Sequence, residues 1–365
     1  MTYDPEARAL DREILNLISR WHSIGADIDD RYFNDLALRV FAHQLRYNEP
    51  YARYAASFGV TLSALPATWN DIPAVPSAAY KETVLATFDV SRAALAFQTS
   101  GTTQGIAGRH YMENAALYDA ALLATFDRFV LAGRPPLRYC NLVPNPSERP
   151  QSSLGYMMAT IAGRRGLGDT GWYVRDDSLL ADAFFADLAA AAAQRQPVCI
   201  ASTAFALADA MGAMQARAVC FALPAGSCIM ETGGFKGHTR SVSREEFYDA
   251  ICARFGVSRA DIVSEYGMTE LTSQYYDVCE SAQGARFKHG PPWLRTRVTG
   301  AAGETLPRGT AGALVHVDLA NRSSCVAVQT EDLGALYDRG LVLAGRDADA
   351  ALRGCSLDAE TLRRR

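Results

Sequence analysis

Two short segments carry most of the side chains that could do chemistry. The first, residues 99–105, reads Thr-Ser-Gly-Thr-Thr-Gln-Gly and follows an apolar run at 95–98 that predicts a strand. Hydroxyl groups and glycines at this density give a turn rich in O–H and N–H donors, which can surround a polyphosphate. No Gly-Lys-Ser/Thr sequence follows, so this hydroxyl-rich segment is not a Walker A loop. Taken alone, such a segment is more often an ordinary turn than a phosphate-binding loop.

The second segment, residues 264–270, follows a predicted strand at 261–263 and reads Ser-Glu-Tyr-Gly-Met-Thr-Glu. Tyr266 offers an aromatic face for stacking, and Thr269 offers a hydroxyl group to a phosphate. Glu270 supplies a hard oxygen ligand of the kind that Mg²⁺ prefers. The alternative for this segment alone is a surface turn with a buried tyrosine.

In this order, the two segments resemble the signatures of the adenylate-forming superfamily of acyl-CoA synthetases, peptide-synthetase adenylation domains and firefly luciferase. Three further segments extend the resemblance, which covers about residues 90–360. Residues 231–237 resemble the glycine-rich substrate and adenine loop of that superfamily. Residues 330–333 resemble its ribose-binding motif, and residues 345–347 resemble its arginine-bearing hinge.

Within the superfamily, residues 231–237 and 353–357 most resemble the acyl-protein synthetase branch. LuxE, the fatty-acid component of bacterial luminescence, gives this branch its name, and EhpF, a short adenylating protein of phenazine biosynthesis, is similar to the same group. In the LuxE branch a cysteine near the C-terminus takes the acyl group from acyl-AMP. Cys355 stands at the corresponding position, and Arg353 nearby could lower its pKa. An inert thiol is the alternative for Cys355.

The resemblance implies ATP- and Mg²⁺-dependent conversion of a carboxylic acid to an acyl-adenylate, followed by transfer to a thiol. The implied ATP-binding residues are Thr99, Ser100, Gly101, Thr102, Thr103, Gly105, Gly233, Gly234, Tyr266, Gly267, Asp332 and Arg346. The implied catalytic residues are Thr269, Glu270 and Cys355, and Glu270 is also the implied metal ligand. The thiol could belong to Cys355, CoA, a carrier protein or a reductase partner.

The sequence departs from the superfamily pattern at two places. The chain stops soon after the hinge, so we expect it to lack the usual mobile C-terminal domain with its lysine. Gln104 interrupts the Thr-Gly step of the hydroxyl-rich segment, and the lysine often found downstream is absent. Arg109, His110 or Lys236 could supply the missing positive charge, and structural or surface roles are the alternative for each.

A second hypothesis is a non-catalytic subunit that binds a nucleotide or acyl group and stabilises a partner enzyme. A Ser-His-Asp hydrolase has little support because no Gly-x-Ser-x-Gly elbow is present. For the acid, the alternatives are a fatty acid of a reductase system and an aromatic or other specialised acid, such as one of phenazine antibiotic biosynthesis. The departures from the phosphate-loop pattern favour the specialised acid.

Composition limits the remaining classes. The 365 residues include 36 basic and 40 acidic side chains, a net charge of -4 that argues against a general nucleic-acid binder. We also expect no signal peptide, because the N-terminus has no basic region followed by an apolar stretch, and no membrane span, because Asp182 and Asp187 interrupt the most apolar helical stretch. The eight cysteines are scattered and form no Cys-x-x-Cys pair, which argues against a disulfide scaffold or zinc site and favours a cytoplasmic location. The sequence leaves open whether the protein forms a homodimer.

The order of predicted elements indicates a layered α/β fold. Helical periodicity fills the first sixty residues, strands alternate with helices in the middle, and a Ser-x-x-Glu capping box at Ser243 and Glu246 opens one of these helices. Strands dominate after residue 312, where we predict them at 313–319, 325–329 and 333–343, with a break at 330–332. We therefore predict a helical region at 1–90 packed on the core, an α/β nucleotide- and acid-binding core at 91–310, and a β-rich subdomain at 311–365.

Overall fold

The computed structural model of this chain describes residues 4–99, 107–233, 243–279 and 286–346, apart from the side chains of residues 278, 279 and 346. Within these ranges the α-helices are α1 (Pro5–Ile24), α2 (Asp30–Tyr47), α3 (Glu49–Ser57), α4 (Ala116–Phe126), α5 (Ser153–Arg165), α6 (Ala181–Ala193), α7 (Ala204–Ala216) and α8 (Arg244–Phe255). The strands are β1 (Val75–Pro76), β2 (Leu95–Gln98), β3 (Arg109–Met112), β4 (Arg138–Pro144), β5 (Gly171–Arg175), β6 (Ser178–Leu179), β7 (Val198–Thr203), β8 (Cys228–Thr232), β9 (Ile262–Tyr266), β10 (Tyr275–Cys279), β11 (Arg286–His289), β12 (Leu294–Thr299), β13 (Gly312–Asp318), β14 (Ala327–Tyr337) and β15 (Gly340–Arg346).

The chain divides into two compact units, each discontinuous in sequence. Unit 1 comprises Met1–Ala124, Met268–Gln274 and His289–Arg365, and unit 2 comprises Thr125–Gly267 and Tyr275–Lys288. The boundaries near residues 90 and 310 stay a sequence-based prediction.

Unit 1 combines the N-terminal helices with antiparallel strands. Helix α1 begins where the Asp4 side chain accepts from the Ala7 amide at 3.0 Å, and it ends at Gly25 in the left-handed conformation. Its apolar face recurs at helical spacing and is buried, and Trp21 packs edge-on against Trp293 with 5.2 Å between ring centroids. Strands β12 to β15 form an antiparallel meander, while β2 and β3 form a separate hairpin.

Unit 2 is built on a sheet in the order β11-β10-β9-β8-β7-β4-β5-β6. Strands β9, β8, β7, β4 and β5 run parallel, with β10 and β6 antiparallel to their neighbours. Helices α6, α7 and α8 pack their apolar side chains on one face of this sheet, which explains why β4, β7 and β8 read as continuous hydrophobic runs. The carboxyl ends of the parallel strands share one edge, where such sheets usually bind ligands.

Most predicted elements are confirmed, including the helical character of the first sixty residues and the capping box of Ser243 and Glu246 at the start of α8. The predicted break between strands at residues 330–332 is wrong, because β14 runs unbroken through them and the turn lies at 338–339. Helix α5 was not predicted from the sequence. Among the described residues, no helix combines the length and apolar character that crossing a membrane requires.

Candidate active site

The hydroxyl-rich segment is closed at its base by a hydrogen-bonded pair in unit 1. The Thr99 amide donates to the Gly108 carbonyl at 2.9 Å, and the Gly108 amide donates to the Thr99 hydroxyl oxygen at 2.9 Å. A side chain at Gly108 would meet the Tyr80 carbonyl group at 2.6 Å, so only glycine fits there. The Thr99–Gly108 pair therefore closes the β2–β3 hairpin.

Residues 269–273 form a turn in unit 1 that carries Glu270. The Glu270 side chain is only 7% exposed, and its backbone carbonyl accepts from Asn321 Nδ2 at 2.8 Å. The hydroxyl of Thr272 in turn donates to Asn321 Oδ1 at 2.6 Å. Asn321 therefore holds this turn at two points through one amide group.

Asp318, at the end of β13, holds the other side of the 269–273 turn. One carboxylate oxygen accepts from the amides of Thr272 and Ser273 at 3.1 and 2.8 Å. The other accepts from the Ser273 hydroxyl at 2.9 Å and the Ala320 amide at 3.0 Å. Burial raises the pKa of Asp318 to about 6, against the lowering effect of these donors. The group is thus mainly ionised at pH 7 and accepts from all four donors.

His110, on β3, contacts the same turn from the end of the hairpin. Its Nδ1 lies 2.7 Å from the Thr269 carbonyl oxygen, and its Nε2 lies 2.9 Å from the Ser324 hydroxyl. Burial lowers the pKa of His110 to about 4, although the bond to Thr269 favours protonation. A neutral ring cannot supply the positive charge that the hydroxyl-rich segment lacks, so that hypothesis for His110 is not supported.

Asp332 and Arg346 are backbone partners on neighbouring strands of unit 1. The β14–β15 register pairs Asp332 with Arg346. Asp332 is buried, and its amide donates to the Thr330 hydroxyl oxygen at 3.0 Å. The structure thus brings together the backbones of the two residues that the resemblance assigns to the ribose.

In unit 2, Gly233 and Tyr266 come together at the carboxyl ends of two adjacent parallel strands. The register places Thr232 beside Glu265, so Gly233 and Tyr266 occupy the next positions on β8 and β9. Gly233 has φ of +91°, a conformation that favours glycine, and no atom of the described residues lies within 4 Å of the place a Cβ would take. The centroid of the Tyr266 ring lies 5.7 Å from that of Tyr275. These residues lie at the edge where parallel sheets usually bind ligands.

Buried charges of unit 2 support the strand that carries Tyr266. Lys288 Nζ donates to the Ser264 carbonyl and hydroxyl at 2.6 and 2.7 Å, and Asp277 accepts from the Ser264 amide at 2.8 Å. Burial raises the pKa of Asp277, but the positive charges of Lys288 and Arg286 outweigh it and lower the pKa overall. These groups fix β9 from the side and position the residues that follow it.

Glu265 is a buried carboxyl group of this edge that the sequence analysis did not single out. The Thr232 hydroxyl donates to it from the neighbouring strand. Burial raises the pKa of Glu265 to about 7, while the Thr232 bond lowers it. The group therefore changes charge near neutral pH.

We expect Glu265→Gln to change how stability depends on pH. The folded-state pKa of Glu265 lies above its unfolded value of 4.5, so its contribution to stability is present below pH 4.5 and is lost as the pH rises to about 7. Relative to the variant, the wild type should lose about 2–3 kcal/mol over that window. Urea unfolding of both proteins at intervals from pH 4.5 to 8 measures this difference. If the free energy of unfolding changes with pH in the same way in both proteins, the prediction is contradicted.

Several predicted site residues lie outside the described residues: Ser100, Gly101, Thr102, Thr103, Gly105, Gly234 and Cys355. Of the others, Tyr266 and Gly267 belong to unit 2, and Thr269 and Glu270 to unit 1. The sequence analysis missed Asp318 and Asn321, although polar residues directly after a predicted strand were a usable signal. All assigned roles stay predictions.

Comparison with known proteins decides the family. The sequence model described as "Acyl-protein synthetase, LuxE" matches residues 8–359. The chain belongs to this family. Membership makes it an adenylate-forming ligase of the acyl-protein synthetase type. The resemblance noted from the two chemistry-bearing segments is thereby confirmed at the level of the family.

Individual relatives of this acyl-protein synthetase are distant. The long-chain-fatty-acid–luciferin-component ligase of Vibrio harveyi is 21% identical over 336 residues, covering 87% of this chain and 84% of the relative. A structure of 2-hydroxyisobutyryl-CoA ligase with 2-HIB-AMP and CoA has a TM-score of 0.63 at 14% identity, covering 88% of this chain and 72% of that one.

ATP-bound MatB from Rhodopseudomonas palustris has a TM-score of 0.51 at 16% identity, covering 71% of this chain and 49% of MatB. This chain therefore spans about half the length of MatB. At these identities the solved structures establish the fold alone, and the predicted layered α/β fold of adenylate-forming enzymes is confirmed.

Proposed function

We propose that this acyl-protein synthetase activates a carboxylic acid with ATP and passes the acyl group to a thiol. The observation that carries the proposal is the 269–273 turn, where Glu270 is buried on a backbone fixed by Asn321 and Asp318. A carboxylate held in this way keeps one position, as a group that stabilises developing phosphate charge must.

In the first step a carboxylate oxygen of the acid attacks the α-phosphorus of ATP. The bond from that phosphorus to pyrophosphate breaks, and acyl-adenylate forms. The hydroxyl of Thr269 orients a phosphate oxygen, and Glu270 with this hydroxyl forms an oxygen donor set that fits Mg²⁺. When bound, Mg²⁺ would neutralise charge on the phosphates. Asp332 accepts hydrogen bonds from the ribose hydroxyls.

In the second step a thiolate attacks the acyl carbon, a thioester forms and AMP leaves. The acceptor thiol belongs to Cys355, CoA, a carrier protein or a reductase partner, and Cys355 is the acceptor that the family resemblance favours. For the acid, the Vibrio harveyi relative supports a long-chain fatty acid, and an aromatic acid of specialised metabolism, such as phenazine biosynthesis, is the alternative.

Carboxylate-dependent exchange between ATP and labelled pyrophosphate tests the first step. We expect exchange with one class in a panel of straight-chain fatty acids and fused-ring aromatic acids. Asp332→Ala should raise the KM for ATP by about 10-fold or more through loss of the ribose contacts. ATP binding without exchange for any acid would instead support a non-catalytic nucleotide-binding subunit.

Cys355→Ser separates the two steps. The variant should retain exchange and lose any acyl-enzyme that labelled acid forms on the wild type, since serine is a far weaker nucleophile than a thiolate. Acyl-enzyme on the serine variant would place the acceptor elsewhere.

A further inference from the structure

His110 lies in a chain of hydrogen bonds in which each group donates to the next one. Tyr80 Oη lies 3.3 Å from the Ser324 hydroxyl, which lies 2.9 Å from His110 Nε2, and His110 Nδ1 lies 2.7 Å from the Thr269 carbonyl. The histidine ring is 1% exposed. Every nitrogen of the ring is therefore committed to a protein partner.

The final acceptor fixes the tautomer of the ring. A carbonyl oxygen can only accept, so Nδ1 of His110 carries the hydrogen and Nε2 accepts from the Ser324 hydroxyl. Ser324 in turn can accept from Tyr80. Since burial keeps the pKa of His110 near 4, the ring stays neutral across the pH range of a cytosolic or extracellular enzyme assay. In that pH range the His110 ring carries no positive charge and does not act as a base.

His110 differs from the other two side chains that fix the 269–273 turn. Asp318 ends β13 and Asn321 follows it, whereas His110 belongs to β3, the strand that comes after the hydroxyl-rich segment in the sequence. The β2–β3 register pairs Arg109 with Gln98, and the Gln98 carbonyl lies 3.5 Å from the Thr269 hydroxyl. Gln98 on β2 and His110 on β3 thus both contact Thr269, the residue beside Glu270.

We propose that His110 is a positioning residue of adenylation, which connects β3 to the 269–273 turn through the Thr269 carbonyl. This inference rests on the proposed function. Thr269 and Glu270 then keep a fixed position relative to the strand that follows the hydroxyl-rich segment. Displacement of a catalytic group by about 1 Å can lower a rate by about 100-fold.

Replacement of His110 by alanine and by asparagine tests this role. Asparagine can place an amide N–H near the position of Nδ1, whereas alanine cannot. We expect His110→Ala to lower kcat for exchange ~10- to 100-fold, raise the KM for MgATP and leave the KM for the acid within about 2-fold. His110→Asn should regain most of kcat, with an unchanged pH profile between 6 and 9.

His43→Ala is the matched control, because His43 is another buried histidine of unit 1 whose Nδ1 contacts Glu6 at 3.4 Å on α1. It should lower the Tm by an amount similar to His110→Ala and leave the kinetic constants unchanged. Equal kinetic losses in the two alanine variants, or no recovery with asparagine, would overturn the proposal. A pH limb that disappears with asparagine would also overturn it, in favour of a base.

The rise in Tm with MgATP gives a readout that needs no turnover. His110→Ala should lose at least about half of the wild-type rise, and His110→Asn should keep it. If the wild type shows this rise without exchange, the proposed ligase activity fails while the positioning of MgATP by His110 is still measured. An equal rise in the wild type and the alanine variant would overturn the role of His110.

Discussion

Arg322→Met should lower the free energy of unfolding by about 3–5 kcal/mol, because it leaves the buried Asp11 carboxylate without its arginine partner and removes one of the two arginines that pair with Glu113. Arg322 is 1% exposed in unit 1. Its guanidinium donates to both oxygens of Asp11 at 2.7 and 3.0 Å and to Glu113 at 3.3 Å. Methionine is apolar and of similar length, so it fills the space without satisfying either carboxylate.

Urea unfolding at pH 7 measures this loss, and two further variants separate its causes. Arg39→Met removes a surface cation, 44% exposed and paired with Glu13, and should cost less than about 1 kcal/mol. Adding Asp11→Leu to Arg322→Met removes one uncompensated charge and should recover part of the loss. If Arg322→Met alone lowers the free energy of unfolding by less than about 1 kcal/mol, water reaches the cluster.

This cluster also shows which part of the fold the sequence could not reveal. Asp11 lies on α1, whose boundaries and buried face follow from its capping residue and apolar spacing. Its partner is 311 residues away along the chain. No local pattern joins such residues, since ion pairs of this kind depend on tertiary packing. The same holds for His110 and Thr269, which are 159 residues apart.

Strand β14 illustrates a local pattern that tertiary pairing overrides. The polar run Thr330–Asp332 suggested a break between two strands. In the structure the pairing of β14 with β13 skips residues 330–332, where the register shifts, and the pairing with β15 begins at Asp332, so the strand continues past the polar residues. A second register shift lies on the β15 side, between Leu333 and Gly334. Pairing with β15 therefore outweighs the weak strand preference of Asp332.

The candidate site was predictable to the extent that its chemistry is local in sequence. Glu270 and Asp332 each lie within a short segment that resembles a family signature, and both are buried in unit 1. The side chains that position Glu270 lie at the end of β13 and in the loop that follows it, and spacing alone does not reveal which turn they contact. Asp318 and Asn321 contact the 269–273 turn only once this part of the chain packs against it.

Glu270→Gln should lower the rate of carboxylate-dependent pyrophosphate exchange by about 100- to 1000-fold. The amide keeps the shape of the side chain but loses the negative charge that a Mg²⁺ ligand of this kind provides. The backbone carbonyl of residue 270 would still accept from Asn321, so the turn should keep its conformation. The loss should therefore appear in kcat and in the Mg²⁺ concentration needed for half-maximal rate, with the KM for the acid within about 2-fold.

Glu246→Gln provides the control, because Glu246 is an exposed carboxylate that completes the capping box of α8. That variant should exchange at the wild-type rate and lose at most about 1 kcal/mol of stability. The Tm of Glu270→Gln without nucleotide should stay within a few degrees of the wild type, which separates a lost ligand from a disordered turn. Exchange within about 3-fold of the wild type, with an unchanged Mg²⁺ requirement, would remove Glu270 from the metal-binding role and leave the metal to phosphate oxygens and water alone.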